Sequence, residues 1–163
     1  MNNPKSPSLE IVRQVAPLSE LTPFMVACMH EGCAVRFTVR GNSMLPFLVS
    51  DRDAATLIKP DRFLKKGDVP LYLRDNGKYV LHRVIKANNG VYTMLGDAQH
   101  TTEPGIRHDQ IIGLAVRFER NGKDISCSNL FYRFYSWFWR VSRFCRFFTR
   151  RMLRVLRRII KRG

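Results

Sequence analysis

The amino-acid sequence predicts a mainly β protein, a sheet assembly or partial barrel with a short N-terminal helix and a long C-terminal amphipathic helix. Short segments of strand-forming residues recur through the middle of the chain, separated by clusters rich in Gly, Pro, Asn and Asp. Strands at this spacing favour an all-β arrangement over a βαβ fold. With 45% hydrophobic residues, the chain has enough apolar surface to form a packed core.

Residues 1–33 are predicted to form a loose lead-in followed by a short helix. Three prolines within residues 1–17 argue against regular structure there. The segment 19–30 is predicted to be helical because Ser19 can cap its start and Gly32 supplies a stop. Neither a secretory signal nor a run of about 18 apolar residues, the length of a spanning helix, is found. The four cysteines show no Cys-x-x-Cys pair and are interpreted as free thiols that are buried or interfacial.

Residues 34–126 are predicted to form the β domain. Residues 34–40 alternate apolar and polar side chains, which is the period of a half-buried strand. Further strand signals occur at 53–58, 69–73, 79–85, 91–95 and 111–119. Pro70 predicts that its strand lies at a sheet edge, because proline cannot donate a hydrogen bond to a neighbouring strand.

The C-terminal segment 127–163 is predicted to be one basic amphipathic helix. From residue 129 onward there are eleven Lys and Arg residues and no Asp or Glu, so most of the net charge of +15 lies here. At the helical period the basic side chains share one side and the aromatic and aliphatic ones the other. Such a helix suits an anionic membrane surface, with Trp137 and Trp139 at the headgroups.

Two other interpretations of this tail remain open. The helix could pack on the protein's own sheet, or it could bind an acidic partner. Nucleic acid is disfavoured, because no nucleic-acid recognition motif accompanies the charge. An arginine-rich interfacial helix favours the cytoplasmic leaflet, so the sequence predicts peripheral membrane association with that face favoured. It gives no indication of oligomeric state.

Two segments carry residue types suited to nucleophilic catalysis. Ser43 follows a strand signal on a turn, where its hydroxyl can be exposed, and Gly41 lets a substrate backbone approach. A serine needs an adjacent base. His82 lies in the strand signal 79–85 and can accept the serine proton near neutral pH. Taken singly, each residue also fits an ordinary structural role, as a turn serine and a buried histidine.

Four motifs occur in order along the chain, namely Ser43-Met44-Leu45-Pro46, Gly67-Asp68-Val69, His82-Arg83-Val84 and Gly96-Asp97. This ordered set resembles the signal peptidase I superfamily of serine proteases. The histidine is similar to the endoplasmic-reticulum and archaeal branch, whereas bacterial signal peptidases and self-cleaving SOS repressors use Ser–Lys. The resemblance implies a β-rich protease fold that cleaves a peptide or pre-protein, with the substrate paired to an exposed strand. No cofactor and no metal site is predicted.

The same resemblance assigns the catalytic roles. Ser43 is expected to be the nucleophile and His82 its general base, oriented by Asp97 or by Glu103, where the His-type enzymes have a second Asp. The Ser43 N–H is expected to stabilise the oxyanion. Four neighbours complete the predicted oxyanion and substrate-binding set: Gly41, Asn42, Met44 and Pro46.

The sequence therefore predicts a serine endopeptidase of the signal-peptidase type, held at a membrane surface by its C-terminal helix. The family's usual N-terminal anchor is not predicted in residues 1–33, and the tail is interpreted as its replacement. A catalytically inactive membrane-associated module with the same fold is one alternative. A self-cleaving repressor-like protease is another, and it is disfavoured because the Lys base and a preceding DNA-binding domain are not found.

Overall fold

The computed structural model describes residues 17–130, 132 and 134–138. The protein is mainly β, with a curled half-barrel sheet and few helices among the described residues. The elements in chain order are α1 (Leu18–His30), β1 (Val35–Thr38), β2 (Ala54–Ile58), β3 (Pro70–Leu73), β4 (Tyr79–Leu81), β5 (Arg83–Asn88), β6 (Val91–Leu95), β7 (Glu103–Arg107), a 3₁₀ turn (His108–Gln110), β8 (Ile111–Arg120) and β9 (Lys123–Ser126).

Within the described ranges, all the strand pairs are antiparallel and form two sheets. The larger sheet has the order β1-β2-β8-β3-β4, with β9 added beside β8, and the smaller has the order β5-β6-β7. The long strand β8 is central, because β2 pairs along one of its edges while β3 and β9 divide the other. Strands β1 and β4 are consequently the two ends of the larger sheet.

The predicted helix and strands are present, with differences at their ends. Helix α1 begins one residue before Ser19, after Pro17, and no side chain caps it. The expected Ser19 cap is therefore wrong, whereas Gly32 ends the helix as predicted, with a positive φ of 82°. The predicted long C-terminal helix is described only at its start, where residues 130, 132 and 134–138 are helical. The rest of that prediction, including Trp139, and the lead-in 1–16 lie outside the described residues.

Two strand predictions need correction. The segment 79–85 is not one strand, because the chain passes from β4 in the larger sheet to β5 in the smaller one, with His82 between them. The edge position predicted from Pro70 is also wrong, since β3 lies between β8 and β4. Pro70 is tolerated there because it is the first residue of the strand, where a missing N–H leaves the ladder intact.

Hydrophobic side chains form two clusters that hold the two sheets and α1 together. The larger cluster joins α1, the larger sheet and the residues that follow β1; its buried members include Met25, Met29, Met44, Phe47 and Phe118. The smaller cluster lies between β3, β8 and the second sheet and includes Tyr72, Tyr92 and Met94. Within the part of the chain that the structure describes, no helix is long and apolar enough to cross a bilayer.

Candidate active site

Ser43 lies on the loop of residues 39–53, which connects β1 to β2 and is closed at its base by Asp53. The Val39 N–H donates to the Asp53 carbonyl at 2.9 Å, and the Asp51 N–H donates to the Val39 carbonyl at 2.9 Å. The fully buried carboxylate of Asp53 accepts the Val49 N–H at 2.8 Å and an N–H from the β8–β9 turn at 3.0 Å. These bonds fix where the loop leaves and rejoins the sheet.

Apolar residues of the same loop pack into the core and so fix the position of Ser43. Met44, Phe47 and Leu48 are all buried in the larger hydrophobic cluster. Ser43 itself is half-buried and precedes the first of these anchors. The loop therefore holds the serine at the surface of the core while its neighbours pack inward.

His82 occupies the crossing between the two sheets, and its ring is only 1% exposed. The Tyr72 hydroxyl lies 3.1 Å from His82 Nδ1 and donates to Glu103 Oε2 at 2.8 Å. A carboxylate is an acceptor only, so the tyrosine proton points to Glu103, and the tyrosine oxygen accepts from Nδ1–H. This hydrogen-bond arrangement assigns the Nδ1–H tautomer and leaves the lone pair on Nε2.

Glu103 is itself fixed by Arg74. The Nε and Nη2 atoms of Arg74 each donate to one Glu103 oxygen at 2.6 Å, a bidentate pair. Burial raises the pKa of Glu103, but the hydrogen bonds from Arg74 and Tyr72 outweigh it and hold the pKa below its ordinary value. A carboxylate that stays ionised keeps the Tyr72 and His82 protons oriented. Its Oε2 lies 3.8 Å from His82 Nδ1.

The Nε2 side of the imidazole faces the backbone of Ser43 across Gly96. A methyl group on Gly96 would lie 2.6 Å from the Ser43 carbonyl oxygen and 3.0 Å from His82 Nε2. The Ser43 carbonyl oxygen and His82 Nε2 thus both lie close to the position that a side chain at residue 96 would occupy, so only glycine fits there. The Ser43 carbonyl also accepts the Ala98 N–H at 2.8 Å, which ties the loop of residues 39–53 to the segment after β6.

Ser43 and His82 line the same cleft, which has a volume of about 180 Å³. The rest of its lining comes from β4, the residues that follow β1 and β3, the residue after Ser43 and the segment after β6; these lining residues are Val39, Arg40, Met44, Arg74, Tyr79, Val80, Leu81 and Gln99. Among the described residues, the hydroxyl and the backbone N–H of Ser43 have no hydrogen-bond partner. The structure therefore brings the two predicted residues into one cleft without a direct bond between them.

Burial sets the protonation state of His82. It lowers the pKa of the imidazole to about 4, helped by the charge of Arg74 and opposed by Glu103. The imidazole is therefore neutral at neutral pH, and its Nε2 can accept a proton.

Asp97 has a different environment from the one predicted for an orienting acid. Both of its oxygens are engaged by Arg83, at 2.9 Å from Nε and 2.8 Å from Nη2. This ion pair is buried, with side-chain exposures of 1% and 2%. Of the two predicted acids, Glu103 is the one linked to His82, through Tyr72, and Asp97 holds Arg83 instead.

The four predicted oxyanion and substrate-binding neighbours are distributed differently. Met44 lines the cleft, whereas Gly41, Asn42 and Pro46 are exposed and do not. Gly41 has a φ of 95° and donates its N–H to Ser50 Oγ at 3.1 Å, so its role is in the turn. The Ser43 N–H remains the candidate oxyanion donor on the loop of residues 39–53.

Sequence reasoning missed Tyr72 and Arg74. They lie two residues apart along β3 and its continuation, so they share one face. That alternation was visible in the sequence, but the pairing of β3 with β4 that brings this face to His82 was not. The chain matches no protein-family model and no curated protein sequence.

Proposed function

We propose that the protein is a serine endopeptidase of the signal-peptidase type, with Ser43 as nucleophile and His82 as general base. The observation that supports this most strongly is the shared cleft, in which His82 Nε2 carries a free lone pair beside Ser43. The other ring nitrogen is held by Tyr72, which in turn is held by Glu103. A base oriented by a second group is the arrangement that nucleophilic serine catalysis requires.

In the proposed reaction, Ser43 Oγ attacks the carbonyl carbon of a peptide bond while Nε2 takes its proton. The resulting imidazolium is stabilised through Tyr72 by the ionised Glu103. The carbonyl oxygen becomes an oxyanion that the Ser43 N–H can bind. Transfer of the proton from Nε2 to the departing amine leaves an acyl-serine, and water activated by the same nitrogen then releases the acid and restores the hydroxyl.

The missing Ser43–His82 bond is consistent with this reaction. Catalytic hydrogen bonds are commonly long or unformed until a substrate binds. In the proposal, rotation of the Ser43 side chain brings Oγ to Nε2 as a carbonyl enters the cleft. His82 is buried and the loop is held by hydrogen bonds, so the Ser43 side chain is the group that can rotate most easily.

A peptide or pre-protein is the proposed substrate because the cleft runs along the end strand of a sheet. Strand β4 is last in the order of the larger sheet, and its three residues all line the cleft. An end strand presents unpaired N–H and C=O groups to which an extended peptide can bind by adding a strand.

The start of the C-terminal helix supports location at a membrane surface. Four apolar side chains are well exposed there, Leu130 at 77%, Phe134 at 64%, Trp137 at 52% and Phe138 at 54%. Their spacing of four, three and one residues puts them along one side of a helix. We place this aromatic face and the basic residues of 129–163 against an anionic membrane surface, with the cytoplasmic leaflet favoured.

Digestion of a mixed peptide library, read by mass spectrometry, tests the proposed activity without knowledge of the natural substrate. We expect cleavage by the full chain and none by Ser43→Ala or His82→Ala, with the far-ultraviolet circular dichroism unchanged. Ser128→Ala and His30→Ala, at exposed sites that do not line the cleft, are the matched controls and should cleave normally. Cleavage by His82→Ala at the wild-type rate would reject the base assignment. Absence of cleavage by the wild type would favour the inactive membrane module.

A further inference from the structure

Arg83 lies at the centre of a buried polar network behind the cleft. In addition to Asp97, its Nη1 donates to the Gly67 carbonyl at 3.2 Å, to Tyr132 Oη at 3.0 Å and to Ser136 Oγ at 2.9 Å. The guanidinium also lies over the rings of Phe47 and Tyr132. A buried cation is tolerated only when its donors are satisfied in this way.

Two of these partners come from the C-terminal helical segment, the described helical residues 130, 132 and 134–138. Tyr132 and Ser136 are four residues apart, so they share one helix face, and they are 6% and 4% exposed. Phe134, Trp137 and Phe138 face outward. The segment therefore has an inner polar face on Arg83 and an outer aromatic face.

The network touches the cleft at two places. Arg83 follows His82 directly in the chain, and Asp97 follows Gly96, the residue packed between the Ser43 carbonyl and His82 Nε2. Removing partners from a buried ion pair is strongly unfavourable, so the surrounding backbone would shift to find others. Any such shift acts on His82 and Gly96 first.

We propose, on the basis of the proposed function, that Tyr132 and Ser136 are positioning residues that couple the seating of the C-terminal helical segment to the geometry of His82. A segment seated on Arg83 holds His82 in its buried, neutral position beside Ser43. If the segment moved away, Arg83 would lose two hydrogen-bond acceptors and His82 would be held less firmly. Contacts made by the outer aromatic face are thereby transmitted to the cleft.

The test compares full-length Tyr132→Phe, Ser136→Ala and the double variant with wild type. The first measurement is the pH dependence of Ser43 labelling by a fluorophosphonate, and the second is titration of the His82 imidazole by NMR. We expect the double variant to be labelled about tenfold more slowly, because small displacements of a base are costly. Its His82 pKa should rise from about 4 toward the ordinary value as water reaches the ring.

Two controls separate positioning from general destabilisation. Ser136→Thr keeps a hydroxyl and should restore the wild-type pH profile, and Phe134→Leu alters only the outer face and should not shift it. If the folded double variant keeps the wild-type pKa of His82, the proposed coupling is wrong. If the double variant does not fold, the same result in Ser136→Ala would overturn the coupling. Lack of labelling in wild type would reject the proposed function, and the NMR titration would still decide the coupling.

Two cysteines are brought together at the end of α1. The Cys33 N–H donates to the Cys28 carbonyl at 3.0 Å and the Gly32 N–H donates to the Met29 carbonyl at 3.2 Å. With Gly32 at positive φ, this is a Schellman motif, in which the side chains at the two outer positions meet. Both of those positions are cysteines here. Both are free thiols, as predicted, but they are exposed rather than buried, because they lie at the solvent-facing end of the helix.

We infer that Cys28 and Cys33 are a redox-active dithiol that exchanges with small-molecule disulfides such as oxidised glutathione. One thiolate attacks the small disulfide and releases one thiol, and the second cysteine then displaces the other thiol from the mixed disulfide. The protein gains one disulfide and the small molecule is reduced to two thiols. The Schellman hydrogen bond places the two cysteines at the two ends of one turn, the positions whose side chains meet in this motif, as a disulfide between them requires. Desolvation and the neighbouring Cys33 raise the pKa of Cys28, so less of this thiol is ionised at neutral pH and the exchange is expected to be faster at alkaline pH.

Exposure of the full chain to oxidised glutathione, followed by alkylation and peptide mapping, tests this inference. We expect a Cys28–Cys33 link that reduced glutathione reverses, and a stable mixed disulfide on the remaining cysteine in Cys28→Ser and Cys33→Ser. The same reaction in guanidinium chloride is the control and should lose the preference for this pair. Glutathione on both cysteines of the folded protein, or links to other cysteines instead, would overturn it.

Discussion

His82 is a titratable group kept neutral by burial, and this links stability to pH. Its pKa of about 4 in the folded protein lies below its ordinary value of about 6.5. The unfolded chain therefore binds a proton at higher pH than the folded one, so the free energy of unfolding falls as pH drops from about 6.5 to about 4. The shift corresponds to a loss of about 3 kcal/mol.

Denaturant unfolding at pH 7 and pH 4 measures this loss. His82→Gln lacks the titrating ring, so the difference in stability between wild type and variant should decrease across the window. A difference that stays constant between the two pH values would show that His82 is not held neutral by its surroundings.

Tyr72 transmits the orientation from Glu103 to His82. In Tyr72→Phe the Nδ1–H loses its acceptor, so the imidazole loses its fixed tautomer, and we expect kcat to fall about a hundredfold with little change in KM. Peptide cleavage kinetics provide the measurement. Tyr92→Phe is a matched control, because Tyr92 also bonds a histidine, His108 Nδ1 at 2.8 Å, but lies outside the cleft lining. Equal kcat values for the two variants would remove Tyr72 from the catalytic apparatus.

Gly96 separates the backbone of Ser43 from the ring of His82. A methyl group at this position would approach the Ser43 carbonyl to 2.6 Å, so Gly96→Ala should displace the loop or the ring and abolish cleavage. Gly113→Ala is the control, since its methyl would meet Met29 Sδ at 3.0 Å within the core, away from the cleft. Both variants should lower the melting temperature, and only Gly96→Ala should lose activity. Retained activity in Gly96→Ala would show that this close approach is not needed.

At the scale of elements, hydrophobic alternation was sufficient to predict most of the strands. It did not reveal that the chain changes sheets at His82, because the pattern of 79–85 continues through the crossing. It also missed β7 and β9. Pro104 and Gly105 in β7 are poor strand formers, and β9 contains Lys123 and Asp124, so pairing with neighbouring strands holds both in place.

In the candidate site, too, the sequence predicted individual residues but not the contacts that depend on tertiary packing. Ser43 and His82 were named from ordered motifs, which are local features of the sequence, and Glu103 was named from its position after the Gly96-Asp97 motif, where the resembled enzymes have a second Asp. The connection through Tyr72 depends on the register of β3 with β4 and on the position of β7 across the sheet boundary. The binding of Asp97 to Arg83 likewise depends on tertiary packing, including side chains from the C-terminal helical segment.

For the molecule as a whole, the exposed aromatic face and the basic tail should direct the protein to anionic membranes. Liposome flotation should show binding to anionic vesicles, weaker binding at high salt, and none to neutral vesicles. The double variant Trp137→Ser, Phe138→Ser should bind more weakly, because it loses apolar side chains that enter the interface. Phe63→Ser is the control, since Phe63 is 62% exposed but lies elsewhere. Equal binding by the double variant and wild type would contradict this role for the aromatic face.

The proposed catalysis depends on activation of Ser43 by His82 in the cleft. Its most direct test is reaction of the full chain with a fluorophosphonate, followed by mapping of the adduct by mass spectrometry. We expect one adduct on Ser43, greatly slowed in His82→Ala and absent in Ser43→Ala. An unmodified Ser43 in folded wild-type protein, or equal modification of Ser43 and exposed serines such as Ser128, would contradict the account.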